Sequence, residues 1–321
     1  MERFSLMLDS AVKFQIIRQA LAMADAIKDV PPRFTEELQI PVLTTDYRPA
    51  YLQNHFKNRS AFLVCGGPSL LTHDLSQLDQ RGILTMAVNN AASVVRPQLW
   101  CCADPPYRFC RGIWEDPAIM KFLPVEWVTE QVELPTEENS AEHSLDLVSD
   151  MPNVFGYIRS FEFKTDGWLR EPTVNYGIPQ GQCDMFGLKG IRSVLMAALK
   201  LLFFLGVRRV YLLGCDFNMK HGKDNYAFEQ STEGSYIESN NKAYSTLNAR
   251  LGHLKASFDE EGFHFFNCIA ESGLTAFPHK TFEDAIAEAT QPKHWTGSQG
   301  LYCRTKVADS SRPVLLSPLP P

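Results

Sequence analysis

The stretch from Ser193 to Phe217 constrains the fold of this chain more than any other. Ser193-Val-Leu-Met-Ala-Ala-Leu-Lys-Leu-Leu-Phe-Phe-Leu-Gly206 reads as an apolar helix that ends on its glycine. Val207-Arg-Arg209 leads into Val210-Tyr-Leu-Leu213, a short apolar segment that reads as a buried strand. The strand breaks at Gly214-Cys-Asp-Phe217 into a polar loop, His221-Gly-Lys-Asp-Asn-Tyr226. An earlier segment has a similar grammar: Ala61-Phe-Leu-Val64 opens into Cys65-Gly-Gly-Pro-Ser69. Two buried strands that each stop at a glycine-containing loop predict an α/β sheet whose C-terminal edge holds a ligand. That points to an enzyme rather than a scaffold.

The remaining elements follow from the same patterns. Ser10–Lys28 is amphipathic, with Val12, Phe14, Ile16, Ile17, Leu21, Met23 and Ile27 as its apolar positions, and Asp29-Val-Pro-Pro32 ends it. A short helix is expected near Thr35–Leu38, and Pro41–Asn58 is an irregular approach to the core. The core begins near Asn58, with strands over Ala61–Val64, Ile83–Val88 and Leu99–Ala103. A helix over Leu70–Leu78 and a helical return over Leu75–Arg81 separate the first two. These strands end on Gly-Gly-Pro-Ser, Asn89-Asn90 and Asp104-Pro-Pro106, three polar termini along one edge. Pro117–Leu123 and Val125–Val132 read as a further helix and strand, Asn241–Glu261 as a helix, Phe263–Asn267 as the last core strand and Phe282–Ala289 as the last helix. Glu133–Tyr176, acidic over Glu137–Asp150, reads as a variable insertion or lid, with a solvated surface excursion as the alternative. The expected organisation is an N-terminal helical extension over 1–57, a catalytic domain over 58–290 with an insertion at 133–176, and an irregular tail over 291–321. The fold class is α/β: a Rossmann-like, mostly parallel sheet flanked by helices, with the extension and a small lid-like insertion added to it.

Length and composition allow a substantial core: 321 residues, 45% of them apolar. A net charge of −6 gives no global reason to bind nucleic acid or an anionic membrane, so a DNA partner would need a local groove built from Arg159, Lys164, Arg170 and Arg192. The eight cysteines include no Cys-x-x-Cys pair and share no zinc-like spacing with histidine, so buried free thiols and a reducing compartment are expected. Met1-Glu-Arg-Phe-Ser lacks the cationic start of a signal peptide. Val194–Leu205 contains Lys200 and is too short to span a bilayer. The expectation is a cytoplasmic protein with no membrane span, and the N-terminal helix leaves a homo-oligomer open.

Several residues could carry chemistry. Gly66-Gly67-Pro68-Ser69 permits close backbone approach to a phosphate, although a tight strand-to-helix turn would favour the same residues. The spacing is neither Gly-x-Gly-x-x-Gly nor a Gly-Lys-Ser/Thr loop, which excludes the dehydrogenase and P-loop readings. Asn89 and Asn90 can donate to and accept from a ribose or base edge, or form an Asx turn. Asp104 belongs to no Asp-x-Asp pair, and as a single carboxylate it could bind a ribose or act as a base. Asp216 could bind a sugar ring, hold a metal or cap its loop, and Tyr226 could present its phenol to a phosphate or pack in the core.

Four blocks between Ser60 and Pro278 carry a resemblance: Val64-Cys-Gly-Gly-Pro-Ser-Leu70, Ala87-Val-Asn-Asn90, Ser193 to Phe217 with Tyr226-Ala-Phe228, and Phe266-Asn-Cys-Ile-Ala-Glu-Ser272. In order and spacing they resemble the single-domain bacterial sialyltransferases that use CMP-sialic acid, together with the related motility-accessory glycosyltransferases and pterin diphosphokinases. The resemblance implies that Gly67, Pro68 and Ser69 lie against the donor phosphate and ribose, with Asn89 near the nucleotide. It places Ser193 at a helix start beside the donor, Gly214 and Asp216 on the base and ribose side, and Ser272 near the donor. Tyr226 would donate to the leaving phosphate. Asn218 stands where that family has its first leaving-group tyrosine. Ser235-Tyr-Ile-Glu-Ser-Asn-Asn-Lys242 lacks the family's general-base histidine, and Glu238 is the nearest carboxylate in the base's place.

The implied activity is transfer of a sugar from a CMP-, UDP- or GDP-linked donor to a glycan, a protein or a modified DNA base. No metal is expected, in keeping with the missing Asp-x-Asp pair. Two alternatives stay open. One is a pterin-type diphosphokinase using ATP and magnesium, with Asp104 and Asp216 as ligands. The other is a nucleotide-binding module without catalysis.

Overall fold

Val64 is the end of a strand buried on both faces, and the whole sheet is arranged around it. In the computed structural model, which describes residues 42–134, 146–160, 167–171, 173–175, 182–183, 193–230 and 234–291, Ser60–Val64 (β2) lies between Thr85–Val88 (β3) and Arg209–Leu213 (β9), parallel to both. Ala61 and Leu63 enter the core on one face, and Phe62 and Val64 enter it on the other. An unbroken apolar run is what burial on two faces requires, so β2 shows no polar alternation.

The sheet has eight strands. Beyond β3 come Leu99–Cys101 (β4), Met120–Pro124 (β5), Val154–Tyr157 (β6) and Val42–Thr44 (β1). Beyond β9 comes His264–Asn267 (β10), and Arg159–Ser160 (β7) and Val174–Asn175 (β8) form a separate small parallel pair. All neighbours in the large sheet are parallel except β1, which runs antiparallel to β6. The chain therefore steps from β2 out to β6, returns, and adds β9 and β10 on the other side of β2. This is the α/β, mostly parallel architecture expected from the strand–loop grammar.

Arg111–Glu115 (α1), Val194–Phe204 (α2), Gly234–Glu260 (α3) and Phe282–Thr290 (α4) are the helices among the described residues. α2 is capped by Ser193, whose hydroxyl accepts from the Leu195 amide, and it is buried from Leu195 to Phe204. A helix apolar around its whole circumference has to be covered on all sides. β3, β4, β8 and the turn at Trp168–Arg170 cover it.

Several expectations are corrected by this arrangement. Leu70–Leu78 is not a helix but two 3-10 turns, Pro68–Thr72 and Leu75–Asp79, and the helical return over Leu75–Arg81 is the second of them. The break comes at Asp74, whose carboxylate caps Ser76. Pro117–Leu123 and Val125–Val132 are not helix then strand. The strand is β5, and Val125–Trp127 is a 3-10 turn after it. Lys121 disguises β5, because its ammonium is buried and donates to the carbonyls of Asp116, Ile119 and Pro152 at 2.7, 3.1 and 2.7 Å. The sheet also takes in β1 and β6, from the 1–57 and 133–176 stretches that the pattern sets outside the core. α3 starts seven residues before Asn241, at Gly234. The helices expected at Ser10–Lys28 and Thr35–Leu38, and the tail beyond Gln291, lie outside the described residues.

Lys200 provides a test of the packing. Its ammonium sits within α2 and donates to the Trp168 carbonyl, and desolvation pulls its pKa from 10.5 down to about 7. Between about pH 7 and pH 10 the unfolded chain then binds more protons at this residue than the folded chain does, so its contribution to stability rises with pH. In urea unfolding, wild type is expected to gain stability relative to Lys200→Met between pH 7 and pH 10. An identical difference at both pH values would contradict a depressed pKa at Lys200.

Candidate active site

At β2 the strand order turns back on itself. β3 continues to one side and β9, formed far later in the chain, pairs on the other. Loops leaving two such adjacent strands diverge and open a crevice at the carboxyl ends of the sheet. A cleft of about 310 Å³ lies there, within the range of about 300–1,000 Å³ usual for small-molecule sites. Its lining includes Gly66 and Gly67 after β2, Asn89 and Asn90 after β3, Asp104 after β4, Ser193 at the start of α2, and Gly214, Asp216, Asn218 and Tyr226 after β9.

At Gly67 and Asp216 the two diverging loops come into close approach. The Gly67 amide donates to the Gly214 carbonyl at 2.9 Å. A Cβ on Gly67 would stand 1.9 Å from Asp216 Oδ2 and 2.6 Å from that same carbonyl. No other residue type fits without moving the carboxylate. Asp216 in turn accepts from the Ser69 hydroxyl at 2.7 Å through Oδ2 and from the Ser69 amide at 3.3 Å through Oδ1. Ser69 is thus a bridge between the loops, and neither it nor Pro68 lines the cleft. Pro68 opens the 3-10 turn that holds Ser69 in place.

The loop after β9 is held from behind. Gly214 has φ +63°, and a Cβ there would meet the Cys65 carbonyl at 2.4 Å. Phe217 has φ +52°, a conformation that costs a non-glycine residue roughly 1 kcal/mol or more. Its ring is stacked on Tyr244 at 5.0 Å. The Ser272 hydroxyl donates to the Cys215 carbonyl at 2.6 Å, and the Gly273 amide donates to that of Asp216 at 2.8 Å. Ser272 therefore braces the loop rather than lining the cleft. Further along, Asn225 folds the polar loop by accepting from the Lys220 amide and donating to the Lys220 and Lys223 carbonyls. Asn241 of α3 clamps both the amide and the carbonyl of Met219.

Polar groups project into this frame. Tyr226 stacks on Phe228, its hydroxyl meets no partner among the described residues, and burial raises its pKa. Tyr244 also lines the cleft; burial raises its pKa most, with Tyr226 and Asp216 adding to the effect. Asn89 sits at φ +48°, with its main-chain carbonyl fixed by the Trp100 indole at 2.8 Å. Its Oδ1 is buried and has no partner among the described residues. Asp104 faces Arg108 at 3.8 Å, and both line the cleft.

Glu238 is placed elsewhere. It stands on the exposed side of α3, next to buried Ile237, and does not line the cleft. Tyr244, Arg108 and the thiols Cys65 and Cys215 are lining residues that the sequence reading passes over. A signal for Tyr244 is present in Asn241, Tyr244 and Leu247, which share one helical face. Of the cations set down for a nucleic-acid groove, Arg159 is paired with Glu126 and Arg170 with Glu261, while Lys164 and Arg192 lie outside the described residues.

No protein-family model and no curated protein matches this chain. Among solved structures, it is similar to a MAf glycosyltransferase from Magnetospirillum magneticum AMB-1, with a TM-score of 0.38 and 14% identity over 86% of this chain. The match spans 40% of that protein's length.

A double-mutant cycle on Ser69→Ala and Asp216→Ala, read by urea unfolding, is expected to return a coupling of about 1–2 kcal/mol. Additive losses would show that the bridge does not tie the loops together.

Proposed function

We propose that this protein is a glycosyltransferase and that its cleft binds a nucleotide-activated sugar. The observation that carries the reading is the position of an unengaged phenol, Tyr226, in a switch-point crevice floored by glycine backbone at Gly66, Gly67 and Gly214. Close-packed backbone suits the flat and charged parts of a nucleotide, and the phenol suits the oxygen where charge develops as the sugar leaves. In this reading Asp216 and Gly214 face the ribose and base, the Asn89 amide completes the nucleotide contacts, and Ser193 stands beside the donor at the start of α2. Arg108 offers the one cationic group in the described lining.

The reaction is direct displacement at the anomeric carbon. An acceptor oxygen forms the new bond, the bond from that carbon to the phosphate oxygen breaks, and Tyr226 donates its hydrogen bond to the departing phosphate. The proton from the acceptor goes to a carboxylate. Asp104 takes this role ahead of Glu238, because Asp104 lines the cleft while Glu238 faces outward. The raised pKa of Tyr226 keeps the phenol a donor across neutral and mildly alkaline pH. Metal independence, a CMP-, UDP- or GDP-linked donor, and a glycan or protein acceptor belong to the same proposal. Asp104 and Asp216 also share the cleft, which favours a second reading, phosphoryl transfer from magnesium-bound ATP. Loss of turnover in EDTA and preference for ATP would decide for it.

A thermal-shift series with CMP, UDP, GDP and ATP and their sugar conjugates is the first test, with one nucleotide class expected to raise the Tm. If none does, the donor site is refuted. With the donor known, Tyr226→Phe is expected to lower kcat about a hundredfold with little change in KM. Asp104→Asn should lower kcat by about 10²–10⁴, and Glu238→Gln should leave kcat unchanged. A loss at Glu238 with Asp104→Asn active would return the base to α3.

A further inference from the structure

Cys65 directly follows β2 and Cys215 lies two residues beyond β9, both at the carboxyl edge of the sheet. Their sulfurs are 3.2 Å apart, with the Cys215 thiol donating to Cys65 Sγ, and both residues line the cleft as free thiols. They are distant in sequence, but sheet pairing holds them together: the Cys65 amide donates to the Leu213 carbonyl at 2.8 Å, one residue beyond the Val64–Leu213 register pair. A disulfide has a sulfur–sulfur length of about 2.05 Å, so the two atoms need to approach by only about 1.1 Å.

We propose that Cys65 and Cys215 form a dithiol modification site in the cleft floor, converted to an intramolecular disulfide by a low-molecular-weight disulfide such as oxidised glutathione. Cys65 is partly exposed on the cleft and Cys215 is buried, so Cys65 meets the oxidant first. The hydrogen bond from Cys215 to the Cys65 sulfur, with burial added to it, holds the Cys215 thiol protonated, which assigns Cys215 the second step. Cys65 gives up its proton and attacks one sulfur of the small disulfide, whose sulfur–sulfur bond breaks and releases one thiol. Cys215 then gives up its proton and attacks Cys65 Sγ, displacing the second thiol. The protein loses two electrons and two protons, and the oxidant gains both.

The two residues lie within the loops that meet at Gly67 and Asp216. With 1.9 Å between a Gly67 Cβ position and Asp216 Oδ2, and 2.4 Å between a Gly214 Cβ position and the Cys65 carbonyl, this junction has no slack. Contraction at the sulfurs displaces Asp216 and its bridge to Ser69, and the oxidised cleft binds its ligand less well. That consequence rests on the proposed nucleotide site; the covalent step does not.

The test treats the full chain with oxidised glutathione, blocks the remaining thiols and maps the peptides. The expected product is one linked pair joining Cys65 to Cys215, lighter by two hydrogens, reversed by dithiothreitol and absent from Cys65→Ser. Cys215→Ala should instead retain glutathione on Cys65, and if that variant does not fold, Cys65→Ser decides. The exposed Cys110 and Cys183 are expected to carry separate glutathione adducts. Glutathione left unresolved on Cys65 in the wild type, or a Cys215–Cys268 link, overturns the proposal. In the nucleotide melt the oxidised protein should bind about tenfold more weakly than the reduced protein, a difference of about 1.4 kcal/mol. Equal affinity overturns the effect on the cleft. If the reduced protein binds no nucleotide, the functional reading fails, and the peptide map alone decides the dithiol.

Discussion

The contact between Gly67 and Asp216 is where the two halves of the sheet meet at the ligand edge. β2 and β9 are paired along their length, but the loops beyond them belong to different crossovers and would separate. Three things keep them together: the missing side chain at Gly67, the amide of Gly67 on the Gly214 carbonyl, and the carboxylate of Asp216 on both donors of Ser69. Because a charge-assisted hydrogen bond is shorter and stronger than a neutral one, the choice of aspartate here is physical rather than incidental.

The outer wall depends on this floor. Phe217 can hold a positive φ because Ser272 and Gly273 brace the carbonyls before it and Tyr244 stacks on its ring. That stack brings the middle of α3 against the cleft, and Asn241, three residues earlier on the same face, fixes Met219. Phe217 and Asn89 both carry left-handed backbone at the ligand edge, where loops leave the strands at angles that ordinary turns do not reach.

Legibility followed local physics. β2, β3, β4, β9, β10, α2 and α4 each carry an apolar pattern or a stop residue strong enough to read alone, with boundaries moved by a residue or two. β5 was misread because a buried lysine interrupts it, and the three carbonyls that solvate that lysine come from Asp116, Ile119 and Pro152. β1 and β6 pair with each other across a long separation, so neither has a local signature of sheet membership. Gly66, Gly67, Asn89, Asn90, Asp104, Gly214 and Asp216 were readable because strand ends in a parallel sheet collect at one edge, and Tyr226 follows in the loop after β9. Ser193 and Asn218 came from the family resemblance alone; all ten line the cleft. Tyr244 was not readable, because a helix approaching from the side leaves no mark at a strand end.

Residue pattern alone therefore specified a parallel α/β sheet and the edge where its polar strand termini gather, since burial on two faces and a glycine stop are properties of a few adjacent residues. Tertiary structure decided which termini face one another. It made Ser69 and Ser272 braces, turned Glu238 outward, brought Tyr244 in, and set the sulfurs of Cys65 and Cys215 side by side. Those outcomes depend on β9 returning to pair with β2. A pairing between strands so far apart in the chain is governed by the whole core and cannot be read from either strand by itself.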